Sequence, residues 1–223
     1  MPPLLDIMTL RLAGFLMISF FCLIMLILWK KNNDILGIKE GFAYSLLISV
    51  EAGISIFPIL RTHEIIVHLA NLLTILAYFS LTIAVSKLCK FKFKFKYTMH
   101  TIILFLLISF LAYLGFIPRE VRVWFAVLYI VGALGSAIYI ILHKNIFLRN
   151  IGRKFILYWI SFHLIVFVAR ICIGLSLSGE IQMVLNSWTL LFLILSNIFI
   201  MLGLIIMLVF RRRNQLRSSL SKA

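Results

Sequence analysis

The sequence predicts an all-α membrane protein, a bundle of seven transmembrane helices, and three observations carry that expectation. Of its 223 residues, 63% are hydrophobic and 13% charged, against about 45–50% apolar and about 25% charged in an ordinary soluble domain. The apolar residues fall in seven runs, each near the roughly 20 residues that a helix needs to cross a bilayer. Lys and Arg gather at alternate ends of those runs. A water-soluble globule is excluded, and seven spans leave no length for a second folded domain.

The first run covers about 10–29. It is too long for the core of a signal peptide, and neither a basic leader nor a small-residue cleavage site accompanies it, so it is expected to persist as a helix. The later runs fall at about 36–60, 64–88, 99–117, 121–143, 155–177 and 186–210, followed by a basic tail over 211–223. A β-barrel would need shorter segments of alternating hydrophobicity. Only a few residues join the second run to the third and the fourth to the fifth, which makes each pair an antiparallel hairpin. Pro118 marks the second of these turns.

The charges set a direction. Lys30, Lys31 and Lys39 lie between the first two runs, and Lys87, Lys90, Lys92, Lys94 and Lys96 between the third and fourth. Lys144, Arg149, Arg153 and Lys154 lie between the fifth and sixth, and Arg211, Arg212, Arg213, Arg217 and Lys222 follow the seventh. The opposite side has Arg11, Arg61, Arg119 and Arg122. Because Lys and Arg favour the cytoplasmic side, the N-terminus is expected outside and the tail inside. Trp29 and Trp159 then fall near inner ends and Trp124 and Trp188 near outer ends, as an aromatic belt requires. The formal charge of +15 is read as contact with anionic headgroups of the lipid bilayer, with no nucleic acid expected. Cys22, Cys89 and Cys172 are odd in number and lie in or beside apolar runs, so no disulfide framework is implied.

Two ionisable residues lie well inside runs, Glu51 in the second and Arg170 in the sixth. Each costs about 2.5–3.5 kcal/mol at mid-bilayer on insertion scales. At 1.5 Å per residue from the outer ends they lie roughly 13 Å and 10 Å deep, so an ion pair or a shared polar cavity is expected. His68 and Asn71, three residues apart on the third helix, sit at similar depth on one face, and Asn197 of the seventh lies deeper. Glu51, His68, Asn71, Arg170 and Asn197 together would line a pocket opening outward. Taken singly, each Asn or His reads first as an interhelical hydrogen bond, and the charged pair first as a register-fixing contact; taken together on the outer side, they weigh more toward a pocket.

Other chemistries find little support in the residues. The five histidines lie at mismatched depths for haem ligation, no HExxH or CxxC pattern suggests a metal, and every lysine lies in a loop or tail, which leaves retinal no Schiff-base partner. No nucleophile elbow, Walker loop or intramembrane carboxylate pair occurs. Neither enzymatic activity nor a cofactor is expected. The alternating run Lys90-Phe91-Lys92-Phe93-Lys94-Phe95-Lys96 reads as an interfacial clamp, although its period of two also fits a strand. Gly132-x-x-x-Ser136 and Ala133-x-x-x-Ala137 are small-residue faces suited to close helix packing, with a homodimer as the other use.

Trp29-Lys30-Lys31, Gly41, the stretch Phe57-Pro58-Ile59-Leu60 with Leu69-Ala70-Asn71, and Arg122-Val123-Trp124-Phe125 form a scattered pattern. Arg170 and the ending Leu202-Gly203-Leu204, Arg211 to Arg213, Leu216 and Leu220 complete it. In these features nearly the whole chain resembles the seven-helix N-terminal sensor region of bacterial membrane diguanylate cyclases of the GGDEF class and of related histidine kinases. The resemblance implies a sensor in a bacterial inner membrane whose tail leads to a cytoplasmic output domain beginning near an Asp-x-Leu-Thr-Gly-Leu motif. No such motif is present here, so the resemblance brings no enzyme activity. It implies a free-standing receptor acting through a cytoplasmic partner, or the sensor part of a longer protein. The leading expectation is a sensor that binds a small-molecule ligand in its outer half and signals through the seventh helix. The alternatives are a small transporter or channel using Glu51 and Arg170, although no internal repeat relates the two ends of the chain, and a non-catalytic scaffold subunit.

Overall fold

A computed structural model describes residues 7–91, 95–116, 118–143, 151–176 and 179–220. It contains seven long α-helices: α1 (Ile7–Lys31), α2 (Ile38–Ile56), α3 (Glu64–Leu88), α4 (Phe95–Tyr113), α5 (Arg119–His143), α6 (Ile151–Ser176) and α7 (Gly179–Leu220). A 3₁₀ turn over Pro58–Thr62 separates α2 from α3. Among the described residues there is no strand. The middle of the alternating Lys-Phe run, residues 92–94, lies outside the described residues, and Phe95 already belongs to α4.

Five of these helices are long and apolar enough to cross a membrane: α1, α3, α5 from Trp124, α6 to Ile173, and α7 over Val184–Leu216. α2 falls short of that apolarity through its charges. α2 has 19 residues, three of which are Lys39, Glu40 and Glu51. Among the described residues, α4 carries an apolar stretch over Ile103–Tyr113. At 1.5 Å per residue, 19 residues reach roughly 28 Å, close to the thickness of the hydrocarbon core alone.

The helix limits depart from the expected runs at two informative places. The second run was expected to continue to residue 60, but α2 stops at Ile56 because Phe57 is extended, with φ −93° and ψ 102°. A residue before proline is pushed out of the helical region by the ring, and Pro58 then opens the 3₁₀ turn. The basic tail over 211–223 reads as the start of a signalling helix, and α7 runs unbroken to Leu220, well past the expected apolar run ending at 210. At 42 residues α7 reaches roughly 63 Å, twice the hydrocarbon thickness.

The packing forms a closed ring. α1 lies against α2, α2 against α3, α3 against α5, α5 against α6, α6 against α7, and α7 returns to α1. α4 stands outside this ring, against α3 and α5. Large apolar side chains on the outer faces remain exposed, Leu16, Phe20 and Leu23 on α1 and Leu107 and Phe110 on α4 among them. Such a surface suits lipid and not water.

Toward the Lys31 end of α1 the ring is filled. Met25, Ile38, Leu81, Leu134, Ile141, Ile156, Ile160, Ile200 and Leu204 are all almost fully buried there. Ala133 and Ala137 are buried where α5 meets α3, and the Thr82 hydroxyl donates to the Ala133 carbonyl at 2.9 Å. The Ala-x-x-x-Ala face is thus used within the chain, while a Cβ on Gly132 would meet nothing within 4 Å.

Charged groups tie the same end together. Lys87 of α3 pairs with Glu40 of α2 at 2.5 Å, and Arg212 of α7 with Asp34 in the α1–α2 turn at 2.9 Å. The Arg211 guanidinium donates to the carbonyls of Leu36 (3.1 Å) and Lys87 (3.0 Å). The extension of α7 is therefore anchored to the α1–α2 turn and to the end of α3 where it leaves the bundle.

Gly203 brings α7 close to α6, since a Cβ there would lie 3.3 Å from the Ile156 Cα and 3.1 Å from its Cβ. Gly203→Leu is expected to lower stability by about 1–3 kcal/mol through overpacking. Thermal unfolding of the purified protein in detergent checks this. Gly132→Ala, with open space around it, should leave the midpoint unchanged or slightly raised.

Candidate functional site

A cavity of about 540 Å³ lies in the half of the ring away from the filled end. All six ring helices line it, and each contributes a stripe at helical spacing. α1 supplies Arg11, Phe15 and Ile18, α2 supplies Ile48, Glu51 and Ser55, and α3 supplies Asn71, Thr74 and Tyr78. From the other side come Ala126 and Ile130 of α5, His163, Phe167 and Arg170 of α6, and Asn186, Leu193 and Asn197 of α7.

Four of the five residues expected from sequence therefore meet around one space: Glu51, Asn71, Arg170 and Asn197. In the order of the ring, α2 and α6 stand opposite each other, so Glu51 and Arg170 line the cavity from opposing helices. Arg11 reaches across from α1 to donate to the Ser55 carbonyl at the end of α2, at 3.3 Å. A side pocket of about 210 Å³ between α2 and α3 shares Glu51, Ser55 and Asn71 with the main cavity.

His68 is placed elsewhere. Its ring meets the Tyr113 ring of α4 edge-on, with centroids 6.2 Å apart, and it is absent from the cavity lining. Residues three apart on a helix differ by roughly 60° around its axis. That offset suffices to send Asn71 into the ring and His68 toward α4, so the expected grouping of the two on one pocket wall is corrected.

The floor of the cavity is a set of polar groups that sequence reasoning left out. The Tyr78 hydroxyl lies 2.5 Å from His163 Nε2, and His163 Nδ1 lies 2.6 Å from the Ser196 hydroxyl. Ser196 in turn donates to the Leu193 carbonyl at 2.9 Å. A hydroxyl has one proton, so with that proton on Leu193, Ser196 accepts from Nδ1–H. The neutral imidazole then accepts the Tyr78 proton at Nε2. Beside this chain the Tyr44 hydroxyl donates to Asn197 Oδ1 at 2.8 Å, joining α2 to α7.

Tyr44, Tyr78, His163, Ser196 and Asn197 are all buried, so each needs the partner it has. A buried polar group left without a hydrogen bond costs about 1–3 kcal/mol. Helix spacing offered a sequence signal for two of them: Tyr78 follows Asn71 by seven positions, and His163 precedes Arg170 by seven. Arg11 stands in the first turns of α1 and reads from sequence as a residue of the outer boundary. No group of three or more His, Cys, Asp or Glu suited to a metal ion occurs among the described residues.

Replacing His163 by Leu is expected to destabilise the protein by about 1–3 kcal/mol, because it strands the Tyr78 and Ser196 hydroxyls. In a double-mutant cycle with Tyr78→Phe the coupling should be about 0.6 kcal/mol, up to about 1.7 kcal/mol. Reversible unfolding in mixed micelles measures both, and an additive pair would show that the bond contributes nothing. No family model matches the chain, and no curated protein or solved structure matches it either.

Proposed function

We propose that the chain is a seven-helix membrane receptor of a bacterial inner membrane, with its N-terminus outside and the end of α7 in the cytoplasm. It binds a small molecule in the outer half of the bundle and passes occupancy through α7 to a cytoplasmic output domain or partner. In this reading α2 and α4 also span, giving seven crossings, and the protein performs no catalysis itself. The alternation of basic residues and the positive-inside rule support the orientation.

The observation that carries the reading is the one-sidedness of the cavity. Polar, charged groups surround a space in one half of the ring, a hydrogen-bonded floor underlies it, and the core of the other half is packed mainly with apolar side chains. A transporter or channel needs a polar route on both sides of its site. A receptor needs a cavity on one side and an element that reports its state on the other.

α7 has the properties of that element. It lines the cavity with Asn186 and Leu193, joins the floor with Ser196 and Asn197, and continues past the bundle to Leu220. Its base is held by Arg211 and Arg212 against the α1–α2 turn and the end of α3. A ligand shifts such a helix only by favouring one arrangement over another. Contacts to both cavity and floor give α7 that differential interaction. The likeness of the basic, leucine-bearing tail to diguanylate cyclase sensor regions agrees with an output beyond it.

Two experiments test this. A green fluorescent protein fused after Ala223 should fluoresce, and alkaline phosphatase inserted beside Pro118 should be active; the reverse pattern would invert the topology. With an output reporter fused to α7, insertion of one to four alanines after Phe210 should change output with helical phase. Output indifferent to every insertion would refute signalling through α7.

A further inference from the structure

We propose that the groove between the end of α1 and the extension of α7 holds one anionic phospholipid, with its phosphate on Arg213 and its acyl chains against the apolar residues one turn inside. The proposal needs only that α1 and α7 cross a bilayer. It stands apart from the reading of the outer cavity as a ligand site.

The lining of this groove changes polarity at the same level on both walls. On the α1 side, Leu28 is followed four residues later by Asn32, just past the helix end, and on α7, Leu208 and Val209 are followed four residues later by Arg212 and Arg213. Residues four apart share a helix face, so each wall is apolar and then, roughly 6 Å further along, polar. Leu28, Leu208 and Val209 belong to segments long and apolar enough to cross a membrane. The inner end of the groove is therefore at the level of acyl chains and its outer end at the level of headgroups, the same step that a phospholipid makes from chain to phosphate. The groove has a volume of about 380 Å³, within the roughly 300–1,000 Å³ of small-molecule sites.

Charge selects the headgroup. The two acidic residues beside this end, Asp34 and Glu40, are each paired already, with Arg212 and Lys87. Arg213 is exposed where it lines the groove, and among the described residues none pairs with its guanidinium. Lys30 and Lys31, both exposed, end α1. The surplus is positive, so it favours a headgroup of net negative charge over one that also carries an ammonium group. Basic pockets between membrane helices are recurrent headgroup sites, and a guanidinium offers a phosphate two parallel N–H donors. Arg212 gives Nη1 to Asp34 at 2.9 Å, which leaves Arg213 as the principal anchor. Ile35 and Leu216 also line the groove; a free phosphate would leave that apolar surface bare, whereas the glycerol-ester body of a lipid covers it.

The test is native mass spectrometry of the purified full chain in detergent, titrated with phosphatidylglycerol and phosphatidylethanolamine carrying the same acyl chains. The first lipid bound should be phosphatidylglycerol, preferred by about fivefold or more. Arg213→Gln should bring the two lipids within about twofold of each other, while Lys31→Gln, outside the groove, should keep the preference. Val209→Trp, which fills the groove and leaves every arginine in place, should abolish the first bound lipid. Glycerol 3-phosphate, a headgroup without chains, should not displace it. The comparison of the two lipids needs no variant, so it stands even if a substitution fails to fold. Equal binding of the lipids, a preference that survives Arg213→Gln, or an equal loss in Lys31→Gln, which would mark attraction to the charged surface as a whole, each overturns the proposal. So does displacement by glycerol 3-phosphate, or a lipid-free dimer that Val209→Trp dissociates, which would give the groove to a second copy of the chain. The receptor reading is judged separately by the alanine insertions after Phe210.

Discussion

The hydrogen bonds from Tyr78 through His163 to Ser196 govern how this bundle is built, because they cross the ring and not merely join neighbours. α3 and α6 are separated by α5 in the ring, yet their side chains meet at 2.5 Å. In a hydrocarbon environment a polar group has no water to fall back on, so each must find a protein partner. The three groups satisfy one another in a single direction and close the middle of the protein with neutral hydrogen bonds. Tyr44 and Asn197 add a second link at the same level. Interhelical hydrogen bonds in membranes contribute modestly, averaging about 0.6 kcal/mol. Their value here is positional, since they hold four helices at one level.

That level divides the ring into two physical regimes. On one side, small residues let helices approach: Gly203 lies against Ile156, and Ala133 and Ala137 are buried beside α3. Ile156, Ile160, Ile200 and Leu204 are almost fully buried there. On the other side, the charges of Glu51, Arg11 and Arg170 require space for water or a ligand, and the helices leave about 540 Å³ among them. The charges are tolerated because they face this space and not lipid. α7 belongs to both regimes and then leaves the bundle through its contacts with Leu36, Lys87 and Asp34. In the proposed receptor, this continuous helix is the element along which a change in the cavity would travel.

Much of this was legible in the sequence, for reasons specific to each residue. Glu51 and Arg170 announced themselves because a charge in an apolar run must face the interior of a bundle, whatever the neighbouring residues are. Asn71 and Asn197 followed from depth. Tyr78 and His163 did not, because a Tyr or His in an apolar run reads equally well as core, and the choice depends on which helices become neighbours. His68 was drawn into the pocket by its spacing from Asn71, while the turn of the helix sends it to Tyr113. The end of α2 was written in Phe57-Pro58, but hydrophobicity alone carried the run past it. Arg211 to Arg213 suggested an edge of the apolar run, and the spacing of Val209, Leu216 and Leu220 a helix beyond it; α7 does continue to Leu220, because its backbone bonds are indifferent to the solvent change.

The account stands most directly on the cavity being reachable from one side only. In a cysteine-free background, single cysteines at Ser55 and Asn71 in the cavity and at Ser86 beyond the floor can be challenged with a membrane-impermeant methanethiosulfonate. Right-side-out and inside-out vesicles then report access from each side. The account predicts that Ser55→Cys and Asn71→Cys react from the outside alone and that Ser86→Cys is protected from that side. Reaction of the two cavity positions from the cytoplasmic side would contradict it.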